Sequence, residues 1–414
     1  MPLVGYLEFA RAHRRFLGFG FLLACFSSVG QTYFVGVFGP SIMAEFSLGH
    51  GAWGGLYMAG TLLSAAALPF TGRLVDQVEL GRFALGVIAL LVLAALAAAL
   101  VPAAWLLVPT IFLLRQSGQG LASHLMRIAM ARYFTTGRGK ALALGGLGFS
   151  LGEALWPLAG VAAIGALGWR STWLAVAGLC LAVLLPAALW LLRGQAERHA
   201  AWLADAAAAE AKPGAARSWT RREVLRDGRF WLFLPAVTAP AMIVTALFFH
   251  HLTLAESKGW SAAWITGSYV FYAAAGILAS IVAGPLVDRF GARRLLPGLL
   301  LPLIAGLAVL ASFDAPLSAW PYLIAVGLTG GAAATLYPAL WAELYGTRHL
   351  GAIKAMAAAL MVFASALGPP LLGLLFDLGV PGETSCWLFA GYCAAATACL
   401  LAGLARERPM AKAA

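Results

Sequence analysis

Gly72-Arg-Leu-Val-Asp76 recurs 212 residues later as Gly284-Pro-Leu-Val-Asp288, and that recurrence decides the fold. The same offset carries Arg82 onto Arg294, Gly118 onto Gly330, Gly139 onto Gly351 and Pro157 onto Pro369. In a chain of 414 residues the offset is close to half the length, so the chain is two copies of one unit. Each copy is mostly apolar. A duplicated apolar unit is the pattern of a membrane transporter built from parallel halves.

Composition agrees. Hydrophobic residues make up 62% of the chain and charged residues 11%, too few to coat a soluble protein of this size. A run of about 20 apolar residues crosses about 30 Å of hydrocarbon at 1.5 Å per residue. Twelve such spans are expected, near 16–39, 52–72, 82–101, 105–127, 140–164, 172–193, 230–254, 264–287, 295–313, 320–343, 352–376 and 384–405. In lipid only helices or closed barrels satisfy the backbone, and runs this long and apolar are helices. The expected fold class is an all-α membrane protein with twelve transmembrane helices in two pseudo-symmetric six-helix bundles. The bundles are 1–193 and 230–414, joined by a linker at 194–229. The first run follows Arg14-Arg15, as a signal peptide would, but it is too long for a signal core and lacks a small-x-small cleavage site.

The net charge of +11 reports topology rather than nucleic acid. Of 28 Lys and Arg, Arg170 and Lys258 fall in one set of loops and Arg115 lies inside a span. The others sit at the termini, in the alternate loops or at flanking helix ends. That asymmetry places both termini and the linker in the cytoplasm of a bacterial inner membrane, as a multi-pass protein. In the linker, Ala-rich 200–211 and Lys212-Pro-Gly214 read as a helical piece and a break. Ser218-Trp-Thr-Arg-Arg-Glu-Val-Leu-Arg-Asp227 has a capping-type start and an amphipathic pattern suited to the membrane surface. Cys25, Cys180, Cys386, Cys393 and Cys399 show neither paired nor metal spacing and read as packing residues. No nucleotide-binding loop, nucleophile elbow or zinc-protease helix is present, so neither cofactor nor metal is expected, and the chain does not read as an enzyme.

Charges inside spans are costly and demand a reason. Arg115 in the fourth span and Glu153 in the fifth both fall ~18–20 Å from the same membrane face, so they could meet near the midplane. One reading gives Arg115 the anionic part of a substrate and Glu153 a coupled proton. A guanidinium grips a carboxylate bidentately, and a carboxyl removed from water can exchange a proton near neutral pH. The other reading is a permanent ion pair between the two helices. Gln119 shares the Arg115 face at 100° per residue, whereas His124 falls on the opposite face and reads as packed. Arg127 reads as a snorkelling side chain, and His250-His251 as a polar rim or a sensor of external pH. Ser27, Gln31, Phe34 and Phe38 form one stripe of the first span, and Thr238, Met242, Thr245 and Phe249 one stripe of the seventh. Tyr269, Tyr272, Tyr337 and Trp341 add aromatic surface. The expected substrate site is Arg115, Gln119, Gln31, Ser27, Phe34, Thr245, Tyr269, Tyr272 and Tyr337. The glycine-rich fifth span, Gly145 to Gly160 with Pro157, and Pro369-Pro370 in the eleventh suit close packing and motion.

Twelve spans with Gly-x-x-x-Asp-Arg-x-Gly after the eighth resemble the major facilitator superfamily. Gly284-Pro-Leu-Val-Asp288-Arg289-Phe-Gly291 fits its motif. The first copy carries Gln77 after Asp76, and its glycine slips to Gly81. Arg115-Gln-Ser-Gly-Gln-Gly120 resembles the family's Arg-x-x-x-Gly signature. Tyr33-Phe-Val-Gly-Val-Phe38 and Glu223-Val-Leu-Arg-Asp-Gly-Arg-Phe-Trp231 are similar to the monocarboxylate and oxalate–formate branch, although 264–287 carries no charge where many of its members hold an Arg. The resemblance implies that Asp76 reaches the eleventh span near Gly351 and Asp288 the fifth near Gly139. Those links would close a cytoplasmic gate, reinforced by Arg289, Arg293 and Arg294, with Arg82 as the counterpart of Arg294. The expectation is a monomeric secondary transporter coupling a small organic anion to protons by alternating access. An efflux pump for amphipathic molecules and a receptor that moves nothing are the alternatives.

Overall fold

A computed structural model describes residues 2–72, 74–134, 137–195, 197–198, 219–346 and 350–405, without the side chains of 2–5, 76, 221 and 350–352. Every regular element among them is helical. Among the described residues, nine helices are long and apolar enough to cross a bilayer. The bent pair Arg14–Gly30 and Thr32–Phe46, with 47° between its arms, makes a tenth. The second expected span is the helix His50–Thr71, and the fourth is built of Leu107–Leu114, Arg115–Ala122 and Ser123–Tyr133 in direct succession. All twelve expected stretches are thus helical, and the chain is an all-α, multi-pass membrane protein.

The chain forms two compact units. The first is Met1–Pro213 with Phe248–Ala255 and Ser261–Val270. Its first span is not one helix. Arg14–Phe26 tightens into a 3-10 turn at Ser27–Gly30, and Gln31 is extended at φ −87 and ψ 151 before helix resumes at Thr32. The fifth span, Arg138–Leu167, lies so close along this helix that a side chain at Gly148 would run into the backbone at Phe21. Small residues let helices approach in lipid, where dispersion replaces the hydrophobic drive. The segments lent by the seventh and eighth spans plug one end of this unit. Phe249 stacks on Trp53 at 5.1 Å and lies tilted against Tyr57 at 4.4 Å, and Phe248 lies 6.5 Å from Tyr33. His250, at a break in the seventh span, is 5.8 Å from His50. This plugged end is the distal face, at the opposite end of the first span from Arg14.

The second unit is Gly214–Leu247, Glu256–Trp260 and Phe271–Ala414. Thr220 caps the helix Arg221–Arg226, and Glu223 bonds back to the Thr220 N–H, completing the capping start expected from the sequence. The tenth span, Ala319–Tyr345, is one continuous helix. Most of the expected linker, residues 199–218, lies outside the described residues.

Candidate functional site

The bend in the first span creates the site in the first unit. In an unbroken helix the Gly30 carbonyl would accept from the Phe34 N–H, but that N–H bonds to Gln31 instead. Arg115 takes the freed carbonyl, its Nη1 donating to Gly30 O at 3.0 Å and reaching Thr32 Oγ1 at 3.3 Å. A broken membrane helix is tolerated where such groups find partners within the protein. The guanidinium, 1% exposed, also lies 5.3 Å from the Tyr57 ring, and Tyr57 OH is 2.6 Å from Thr32 Oγ1. One cation therefore holds a helix break, a hydroxyl pair and an aromatic face together.

The fourth span widens where Arg115 sits. Arg115–Ala122 is a π-helical stretch, and Gly118 within it touches Gly30 so closely that neither has room for a side chain. Reckoning faces at 100° per residue fails across a π-helix, where the turn is wider. The same stretch turns Gln116 toward the second span. Ser64 Oγ donates to its Oε1 at 2.9 Å, and its Nε2 donates to Thr71 Oγ1 at 2.7 Å. Gln116 escaped the sequence analysis, although an amide inside an apolar span beside an arginine was a signal available there.

Arg115 and Glu153 do not meet. Arg115 turns to the first and second spans, whereas Glu153 is partly exposed and bonds to no described residue. Their depths match, but depth says nothing of the direction around each helix. The permanent ion pair is excluded among the described residues. Neither charge meets an opposite charge among the described residues.

The other expected site residues divide. Ser27 Oγ is spent on Ala24 O at 2.7 Å. Phe34 is fully buried, packed 5.3 Å from Trp156 and 5.4 Å from Trp173, so it belongs to the core between spans rather than to an open surface. The stripe from Ser27 to Phe38 is interrupted by the break at Gln31. Gln31 and Gln119 are partly exposed, and neither side chain bonds to a described residue. Buried Tyr269 bonds to His251 Nδ1 at 2.8 Å, which makes both part of the distal plug. In the second unit Thr245 and Tyr272 are partly buried, and the Tyr337 hydroxyl is buried without a hydrogen-bond partner among the described residues.

A family model described as the Major Facilitator Superfamily matches residues 20–353 and 269–414. The chain belongs to the major facilitator superfamily. Across 401 residues it is 29% identical to an uncharacterized 38 kDa protein in a 23S RNA operon of Thermoproteus tenax, covering 95% of this chain and 97% of that one. In structure it is similar to a bacterial homolog of the human lysosomal transporter Spinster, captured inward-facing and occupied, with a TM-score of 0.72 and 15% identity over 94% of this chain and 96% of the other. It is likewise similar to the nucleoside transporter NupG, with a TM-score of 0.71 and 13% identity over 95% and 99%. At such identities the likeness is one of fold.

The major facilitator loop motifs are held differently in the two units. In the second, Gly291 turns the chain at φ +80, and Glu343 from the tenth span caps the turn. Its carboxylate accepts from Ala292 N at 2.7 Å and Arg293 N at 3.2 Å, while Arg293 Nη2 donates to Glu343 O at 3.0 Å. An anion there satisfies orphan N–H groups at a helix start. Asp288, Arg289 and Arg294 are exposed, and Asp288 bonds to no described residue. In the first unit Arg132 donates to Val75 O at 3.2 Å, and exposed Arg82 lies 3.5 Å from Glu79. The Asp76 side chain lies outside the described part of the structure, and Gly351 is in the first turn of the helix Leu350–Asp377. Glu343 went unnoticed in the sequence because the motif draws the eye to Asp288.

Proposed function

We propose that this chain is a proton-coupled secondary transporter of a small organic anion. It works as a monomer in a bacterial inner membrane, with both termini in the cytoplasm and the distal plug facing outward. Halves 1–193 and 230–414 are the moving bodies and 194–229 their tether. Family membership supports secondary transport. The observation that carries the finer reading is that Arg115 and Glu153 lie within spans and neither has a counter-charge among the described residues.

A buried guanidinium without a carboxylate attracts one from a substrate, and its Nε has no hydrogen-bond partner among the described residues. Gln31 and Gln119 supply uncommitted amides for the remaining lone pairs. Thr245, Tyr272 and Tyr337 keep their proposed substrate roles in the second unit. Glu153 carries the proton. The Tyr57 ring is shared between the Arg115 guanidinium and Phe249 of the distal plug. An anion that draws Arg115 off Tyr57 loosens the seat of Phe249, which couples binding to opening. Asp288, Arg289, Arg293 and Arg294, with Asp76 and Arg82, act at the cytoplasmic gate.

The test is internal pH in proteoliposomes given external mono- and dicarboxylates, then lipophilic cations and amphiphiles. The expected result is a pH change for one small anion, at least tenfold weaker in Arg115→Ala, about the loss for one charge-assisted pair. A response confined to bulky amphiphiles would replace this reading with efflux.

A further inference from the structure

At the end of the first unit that carries the amino terminus lies a cavity of about 360 Å³, within the range of small-molecule sites. Its walls are chemically one-sided. Arg14, Arg15 and Arg198 line it with His13 and Tyr133, and no carboxylate among the described residues does. Glu197, next to Arg198 in the chain, is an exposed side chain outside the cavity wall.

The cations are positioned but not neutralised. Arg15 Nη2 donates to Trp190 O at 2.9 Å and its guanidinium lies 5.5 Å from the Trp190 ring, while its buried Nε has no hydrogen-bond partner among the described residues. Arg198 lies 4.8 Å from the Phe16 ring and donates to Gln195 at 3.4 Å. Its pKa is held below the usual guanidinium range, first by burial and then by the nearby Arg15 charge, against a smaller opposing pull from Glu197. The two like charges repel each other, and no carboxylate lines the cavity between them among the described residues. The helix Arg14–Phe26 also begins here, and His13 gives it no side-chain cap, so the positive end of its dipole adds to the field.

The surface beside this cluster is apolar. Trp190, against Arg15, is 53% exposed and Leu189 is 51% exposed. On a multi-pass membrane protein such a surface meets acyl chains, and tryptophan marks the level of the headgroups. A basic cavity at that level, open beside apolar surface, suits a phosphate whose remaining substituents run into lipid.

We propose that this cavity binds a phosphate group, supplied by the headgroup of an anionic phospholipid. Arg14, Arg15 and Arg198 hold the phosphate oxygens, and Leu189 and Trp190 carry the start of the acyl chains. The lipid thereby ties the start of the first span to the segment that follows the sixth.

The test is the thermal midpoint of the full purified chain in detergent, titrated with short-chain phosphatidylglycerol, phosphatidylcholine of the same chain length, or inorganic phosphate. Variants are Arg198→Gln, Arg14→Gln as a second choice at an exposed position, Arg198→Lys, and Arg11→Gln outside the cavity. The expected result is saturable stabilisation by phosphatidylglycerol beyond that by phosphatidylcholine. Half-saturation should move about fivefold higher for each arginine removed, the worth of one basic residue near an anionic surface. Arg198→Lys should recover most of it, and Arg11→Gln should behave as the native chain. Stabilisation by inorganic phosphate alone, lost in the same variants, keeps the phosphate site and removes the lipid as its source. Equal stabilisation by the two lipids with no effect of phosphate, or a phosphatidylglycerol advantage intact in both Arg→Gln variants, would overturn the proposal.

Discussion

The distal loops of the two units are fastened by the same device with its charges exchanged. In the first, Arg170 at the start of the sixth span pairs with Glu45 at the end of the first. It also donates to Ala99 O at 2.8 Å and Val101 O at 2.7 Å, in the connection between the third and fourth spans. Trp169 Nε1 adds a bond to Glu45 at 2.7 Å. In the second, Lys258 after the seventh span bonds to Asp314 at 2.7 Å, between the ninth and tenth spans, and lies 3.3 Å from Glu383 at the start of the twelfth. Trp260 Nε1 donates to Asp314 O at 2.6 Å. Each clasp is a cation that gathers acceptors from two other loops, with a tryptophan beside it. The repeat preserves this geometry while leaving free which loop carries the cation. Arg170 and Lys258 are also the two cations that break the charge asymmetry of the sequence, and the clasps are the reason they are there.

The clasps differ in burial, and that difference orders the expected effects. The Lys258 side chain is 1% exposed, against 34% for Arg170. Lys258→Ala empties a buried position and leaves two like-charged carboxylates, 78% and 38% exposed, without their cation, and should destabilise the second unit by about 2 kcal/mol. Thermal unfolding in detergent measures it. Arg170→Ala should cost about 1–2 kcal/mol, since its partners can rehydrate. The double exchange Glu45→Lys with Arg170→Glu should not restore that loss, because the Ala99 and Val101 carbonyls would then face a carboxylate. Full restoration would show that the pair alone matters, not the gathered acceptors.

The smallest effect is in acid. The bond from Arg170, helped by Trp169 and opposed by a little burial, holds the Glu45 carboxyl below the usual carboxylate range. A carboxyl with a lowered folded-state pKa contributes stability above its unfolded pKa of about 4.3 and loses it as pH falls through the folded value. The native chain should therefore lose stability more steeply than Glu45→Gln below about pH 4. Parallel pH profiles would remove Glu45 from the clasp.

The number of helices, the duplication and the capped helix at Thr220 were legible in the sequence because hydropathy and capping are local signals. The site was legible in its residue types and not in its arrangement. Arg115 stood out as a charge in an apolar span, but its partner is a carbonyl freed by the break at Gln31, and no side-chain pattern announces a freed carbonyl. The π-helical stretch at Arg115–Ala122 turns by less than 100° per residue, so faces reckoned at that angle do not carry from Arg115 to His124. At the repeat position of Arg115 the tenth span has Gly327, which lies against the backbone at Tyr272 in an uninterrupted helix. One unit keeps a charge and a widened turn where the other keeps close, regular packing. The offset of 212 residues reveals the correspondence, and only the coordinates reveal the divergence.

The central claim is that Glu153, alone in the fifth span, carries the proton that accompanies an anion drawn to Arg115. Its most direct test compares two assays of Glu153→Gln in proteoliposomes: uptake driven by a pH gradient, and exchange of internal for external substrate without one. The account predicts that gradient-driven uptake falls to background while exchange continues at a rate near that of the native chain. Gradient-driven uptake as strong in Glu153→Gln as in the native chain would contradict it.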